Sequence, residues 1–132
     1  MGDGDELELV LIRGLPGAGK STFARHFEAM GWAHFETDQY FMDSTGAYGF
    51  DPAHLGEAHA WCQQEVEHSL ATGQSTAVSN TFVTRAEMVP YVQIAARFSA
   101  RVTIVTVEGR GGSRHAVPES VMAEMKANWE AL

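Results

Sequence analysis

The residues best suited to chemistry form one run, Gly14-Leu15-Pro16-Gly17-Ala18-Gly19-Lys20-Ser21, followed by Thr22. The run satisfies Gly-x-x-x-x-Gly-Lys-[Ser/Thr], the phosphate-cradling P-loop pattern. Its glycines let backbone N–H groups turn inward around phosphate oxygens, where a Cβ would clash. The start of the helix that follows adds the positive end of its dipole beneath the same phosphates. In such a loop Lys20 reaches the β- and γ-phosphates, and the Ser21 hydroxyl ligates Mg²⁺. Gly14 to Thr22 are therefore the nucleotide-binding residues, with ATP or GTP as ligand. The alternative is a Gly-rich turn with no ligand.

The loop needs a buried strand before it and a helix after it. Leu7 to Ile12 reads as the strand, and Ser21 to Met30 as the helix, stopped by Gly31. Trp32 to Glu36 is a second short strand, with Thr37-Asp38-Gln39-Tyr40-Phe41 at its C-terminal end. In open parallel sheets ligands bind at that end. Asp38, 18 residues after Lys20, is placed as the acidic group of a P-loop kinase. Its alternative role is to cap a short helix at 39–41.

Residues 42–51 read as a loop whose Tyr48 and Phe50 either stack on a base or, as the favoured reading, pin the loop to the core. Pro52 opens a helix to Thr72, with Leu55, Ala58, His59, Cys62, Val66 and Leu70 as its buried stripe. His54, His59 and His68 are spaced five and nine apart, which is no metal-ligand spacing, so they read as surface or boundary residues. A third strand, Ser75 to Ser79, delivers Asn80-Thr81-Phe82 to the ligand side. Thr84-x-x-Glu87 is a capping box for a helix reaching Phe98, with its first turn offset by Pro90.

Arg101 to Val107 is β-branched almost throughout, as a doubly covered parallel strand should be. The segment Glu108 to His115 carries Arg110 and Arg114 among three glycines. It reads as a short lid that brings arginines over the phosphates, or as a solvated connection. Pro118 starts a last helix with Val121, Met122, Met125 and Trp129 on its apolar face. This alternation predicts an α/β P-loop NTPase fold, a small parallel sheet of about four strands with helices on both faces. One domain is expected across residues 1–132, with the first six frayed.

Bulk properties limit the partners. A net charge of −8 argues against broad electrostatic capture of nucleic acid. A lone Cys62 on an apolar stripe is expected to be a buried structural thiol, and it suits a reducing cytoplasm. No apolar run approaches the ~18 residues of a membrane span, so no membrane partner is expected.

A GTPase would need an Asn-Lys-x-Asp base reader and an Asp-x-x-Gly switch, and neither is expected here. A motor or AAA-type ATPase would need a strand ending in Asp, whereas the candidate ends in Val78-Ser79-Asn80. A small ATP-dependent kinase with an acceptor-side aspartate and an arginine lid fits better. The chain resembles the polynucleotide-kinase-like P-loop kinases, especially the Nedd4-binding-protein kinase domains and the phage-type polynucleotide kinases. The resemblance is carried by residues 13–22, by Thr37 to Phe41 and by Gly46-Ala47-Tyr48-Gly49-Phe50-Asp51-Pro52. It continues in Ala58-His59, Ser79-Asn80-Thr81, Glu87 to Val92, and His115 through Pro118 and Met125 to Glu130.

The resemblance implies that Asp38 is the general base for an acceptor hydroxyl, with Lys20 and either Arg110 or Arg114 stabilising the transferred phosphoryl group. ATP and Mg²⁺ are the implied cofactors. The implied acceptor is a polynucleotide or nucleoside 5′-hydroxyl, the 5′ end of a single strand included. Tyr40, Phe41, Tyr48, Phe50 and Phe82 are candidates to line the acceptor pocket by stacking. The alternatives are a small-molecule kinase and a non-catalytic ATP-binding module. Against the family pattern, Asn80 removes a carboxylate near the metal, Phe82 replaces a polar residue, Gln39 replaces an acid, and Phe41 stands where a phosphate-reading arginine is found.

Overall fold

A computed structural model describes residues 6–109 and 117–132. Its elements in order are β1 (Glu8–Arg13), α1 (Lys20–Ala29), β2 (Ala33–Phe35), α2 (Leu55–Ala71), β3 (Thr76–Asn80), α3 (Val89–Arg97), β4 (Arg101–Thr106) and α4 (Glu119–Asn128). Short 3₁₀ turns fall at Thr37–Phe41, Pro52–His54 and Arg85–Glu87. The strands pair in the order β2-β3-β1-β4, and every pairing is parallel.

The parallel register brings the C-terminal ends of three strands together. Arg13 lies opposite Asn80 on one side and Thr106 on the other. Alternation along β1 sorts the core into two layers. Leu9 and Leu11 pack with Val78 against Cys62, Val66 and Leu70 of α2 and Tyr91, Ile94 and Ala95 of α3. Val10 and Ile12 pack with Ala77 against Ala24, Phe23 and Phe27 of α1. Helices thus cover both faces of the four-stranded sheet, as expected of a P-loop NTPase.

The structure also corrects several local expectations. Only Ala58, Cys62, Val66, Ser69 and Leu70 of α2 are buried, and Leu55 is 38% exposed. The helix expected from Pro52 begins as a 3₁₀ turn, in which the Asp51 carboxylate accepts from the Ala53 N–H. β4 is not doubly covered: it sits at an edge of the described sheet, and Arg101, Thr103 and Thr106 are exposed. Glu6 is not frayed, since its carboxylate pairs with Arg101 at 2.7 Å. The apolar residues of α4 are not buried among the described residues, and Val121 is 40% exposed. Cys62 is fully buried, and burial pushes its thiol above the ordinary cysteine range, as a structural thiol requires.

The end of β1 carries a buried charge. Arg13 is 1% exposed and donates to the carbonyls of Phe82, Val83 and Glu130 at 2.7–3.2 Å. Its guanidinium also lies 4.0 Å from the centre of the Trp129 ring. Phe82 adopts φ 47, a left-handed conformation that is rare outside glycine, and its carbonyl takes two of the Arg13 hydrogen bonds. Replacing Arg13 by Met keeps the stem but strips these carbonyls of a donor. We expect Arg13→Met to cost about 3–5 kcal/mol, read as a fall in the urea midpoint at constant slope. A loss within experimental error would show that the clamp does not hold the fold together.

Candidate active site

The loop between β1 and α1 is built as its sequence predicts. Gly17 and Gly19 take φ of 84 and 99, which side chains with a Cβ avoid, and the Ala18 N–H closes a turn onto the Leu15 carbonyl. The first N–H groups of α1 open into this loop, as at any helix start. The chain leaving β4 presses against it. A Cβ on Gly14 would lie 2.7 Å from the Val107 carbonyl oxygen, and one on Gly109 would lie 2.5 Å from that of Ala18. Gly109 is therefore anchored beside the loop. The arginines expected of the lid, Arg110 and Arg114, follow it and lie outside the described residues.

Lys20 curls back over the loop, with Nζ donating to the Leu15 carbonyl at 3.0 Å. Burial lowers its pKa from the ordinary lysine value, while the nearby charges of Glu36 and Asp38 work against that shift. A cation held in this way is under-compensated, and a bound anion would relieve it.

The second wall comes from the end of β2. Glu36 leaves the strand in an extended conformation and the 3₁₀ turn Thr37–Phe41 follows. The Asn80 side-chain carbonyl at the end of β3 accepts from the Thr37 N–H at 2.9 Å and fixes where that turn starts. Thr37 is buried, with its hydroxyl 3.4 Å from His59 Nδ1. His59 is thus a partner of this turn, not only a boundary residue of α2. Asp38 lies inside the turn and does not cap it. Its side chain is exposed and accepts from the Tyr48 hydroxyl at 3.2 Å. Burial and the Asp38 charge push the Tyr48 hydroxyl up to about 12, so it stays a donor across the physiological range.

Tyr48 reaches Asp38 because residues 42–49 form a tight, ordered turn. Met42 bridges Tyr48, Gly49 N–H returns to the Phe41 carbonyl, and Gly46 has φ 86. Contrary to the expectation that no Asp-x-x-Gly run is present, Asp43-Ser44-Thr45-Gly46 has that spacing. Its carboxylate is engaged within the turn, accepting from the Thr45 and Ala47 N–H groups.

Ser21, Arg25, Glu28, His34, Glu36, Asp38, Gln39 and Met42 line one cavity of about 260 Å³ between α1 and the end of β2. Two linkages behind it were not read from the sequence. The Ser21 hydroxyl donates to Glu36 Oε2 at 2.9 Å. His34 joins Glu28 through Nδ1 at 2.8 Å and the buried Ser79 hydroxyl through Nε2 at 2.6 Å, tying α1, β2 and β3 together. The available signal was the strand period: β2 alternation points His34 and Glu36 to the same face, the α1 side.

The aromatic candidates divide. Phe41 and Phe82 are buried, Phe82 edge-on to Tyr91 and Phe41 edge-on to Tyr48 and Phe50, so neither lines an open acceptor pocket. Phe41 pins the Tyr48 turn to the core. Tyr40 is 37% and Phe50 48% exposed, although Tyr40 is engaged with Glu57.

A family model described as an AAA domain, AAA_33, matches residues 9–110. The chain belongs to this family. It is 38% identical over 99 residues to the human NEDD4-binding protein 2, an alignment covering 73% of this chain and 6% of that protein. Among solved structures, a chain of the Pnkp1/Rnl/Hen1 RNA repair complex superposes with a TM-score of 0.71 at 18% identity, over 93% of this chain and 44% of that one. A sugar kinase from Janibacter sp. HTCC2649 superposes with a TM-score of 0.65 at 17% identity, over 96% and 79%. This member of the family thus spans a small part of its human relative, and it has a P-loop kinase-like fold.

The state of Lys20 gives a test that needs no acceptor. Its folded pKa is below the unfolded one, so the unfolded chain holds more protons between the two values and stability must rise with pH there. Thermal melts of the nucleotide-free protein should climb over the alkaline window that ends near lysine's ordinary ~10.4. Lys20→Met should flatten that climb, melt no lower than the parent at neutral pH, and lose the stabilisation that ATP gives the parent. An unchanged ATP-induced shift in folded Lys20→Met would take Lys20 out of the site.

Proposed function

We propose that this domain is an ATP-dependent kinase acting on an acceptor hydroxyl, with ATP held by Gly14 to Thr22. The observation that carries this reading is that Ser21 of the phosphate loop and Asp38 of the β2 turn line one cavity. Donor and acceptor would meet there. The acceptor oxygen attacks the γ-phosphorus, the bond to the β,γ-bridging oxygen breaks, ADP leaves, and the hydroxyl proton passes to Asp38. Tyr48 holds one Asp38 oxygen and leaves the other for the acceptor. Lys20 turns from the Leu15 carbonyl to the phosphates, and Arg110 or Arg114 adds the second cation over the transferred group. The Ser21 hydroxyl is a hard oxygen donor that suits Mg²⁺, which would offset charge on the β- and γ-phosphates.

The cavity bears on the acceptor. Apart from Glu36 at Ser21, Glu28 and Asp38 supply two carboxylates against one arginine, Arg25. That balance repels a second phosphate close to the reacting hydroxyl. Together with the net charge of −8 it favours a nucleoside 5′-hydroxyl, or another small polyhydroxylated molecule, over a tightly gripped polynucleotide end.

Transfer from labelled ATP to a panel of nucleosides, 5′-hydroxyl oligonucleotides and sugars tests this reading. Turnover should be best on uncharged acceptors. Asp38→Asn should reduce it by ~10²–10⁴ with little change in ATP affinity. Activity within a few-fold of the parent in Asp38→Asn would remove Asp38 as the base. Strong preference for long oligonucleotides, with steep salt dependence, would overturn the acceptor assignment.

A further inference from the structure

We propose that Glu36 is the metal-side carboxylate of this site, the acidic group that works with the Ser21 hydroxyl to hold Mg²⁺ against the nucleotide. The inference rests on the nucleotide-binding reading above and assigns a role that the sequence left vacant. At the end of β3, Asn80 offers an amide, and its oxygen is already taken by the Thr37 N–H. Glu36 fills the gap from the neighbouring strand. It is half-buried, its Oε2 accepts from Ser21 Oγ at 2.9 Å, and both residues line the same cavity.

Glu36 forms no ion pair among the described residues. The other acids near the cavity are otherwise engaged: Glu28 with His34, and Asp38 with Tyr48. A partly buried carboxylate without a paired cation is costly unless a cation arrives. Carboxylate and hydroxyl oxygens side by side are the donor set that Mg²⁺ takes, together with phosphate oxygens and water.

This position separates two acids by task. Glu36 faces Ser21 and the phosphates, while Asp38, two residues on, faces Tyr48 and the acceptor side. The division predicts opposite signs for one substitution. Without metal, Glu36 repels the nucleotide phosphates, so Glu36→Gln should bind ATP as tightly as the parent or several-fold more tightly. With Mg²⁺ present, the variant should lose what the metal contributes.

The experiment is calorimetric titration of ATP with and without Mg²⁺ into the parent, Glu36→Gln and Asp38→Asn. Mn²⁺ binding to each ATP complex, followed by electron paramagnetic resonance, is the second readout. The parent should bind ATP more tightly with Mg²⁺. Glu36→Gln should abolish most of that gain and weaken Mn²⁺ binding by ~10–100-fold, while Asp38→Asn keeps both. If Glu36→Gln does not fold, Glu36→Asp, which keeps the charge on a shorter reach, should retain an intermediate metal gain. A full metal gain in Glu36→Gln, or no weakening in Glu36→Asp, overturns the assignment. Loss of the gain in Asp38→Asn with retention in Glu36→Gln transfers the role to Asp38. No ATP binding by the parent would overturn the nucleotide reading itself.

Discussion

A buried guanidinium sets the frame of this domain. Arg13 has no water to solvate it, so the chain must bring carbonyls to it, and they come from two distant segments, Phe82-Val83 and Glu130. The Glu130 N–H returns to the Val83 carbonyl, and Trp129 closes over the guanidinium face. One charge thus ties together the end of β1, the exit of β3 and the segment after α4. The next residue is Gly14, the first of the phosphate loop, whose N–H meets the Thr81 carbonyl. The loop begins from a fixed point, and the left-handed strain at Phe82 is part of what fixes it.

From that point the parallel register does the rest. β1, β2 and β3 all end on the same edge, so phosphate loop, Glu36 and Asn80 arrive together. Hydrogen bonds then assign work. Asn80 positions the Thr37–Phe41 turn, and His34 braces β2 against α1 and β3. Tyr48, carried in on a turn held by Asp43, aims Asp38. Lys20 rests on a backbone carbonyl in a place where burial disfavours its charge. The site is arranged to gain from an incoming anion on one side while presenting carboxylates on the other. That asymmetry supports the proposed pairing of a phosphoryl donor with an uncharged hydroxyl acceptor.

The turn of the phosphate loop and the order of strands and helices were legible because each is a local signal. Two glycines with positive φ, a capping box at Thr84 and a strand ending in polar residues can be read within a few positions. The contact of Glu36 with Ser21 was not legible because it joins residues 15 apart and depends on which face of β2 Glu36 leaves from. Phe82 was misread for a related reason. It stands at a strand tip where ligands bind, but its left-handed backbone turns the ring into the core against Tyr91. β4 looked like a buried strand because Val, Ile and Thr suit one, yet threonine tolerates water and the strand lies at an edge.

In the proposed reading, phosphate loop, metal-side acid and acceptor-side acid share one cavity around a single nucleotide. A crystal structure with the β,γ-imido analogue of ATP and Mg²⁺ tests it most directly. Phosphates should lie on the N–H groups of residues 17–21, with Lys20 Nζ moved from the Leu15 carbonyl to phosphate, Mg²⁺ between Ser21 and Glu36, and Asp38 still on Tyr48. A nucleotide bound elsewhere, or one bound in the loop with Lys20 still on Leu15 and Glu36 remote from the metal, would contradict it.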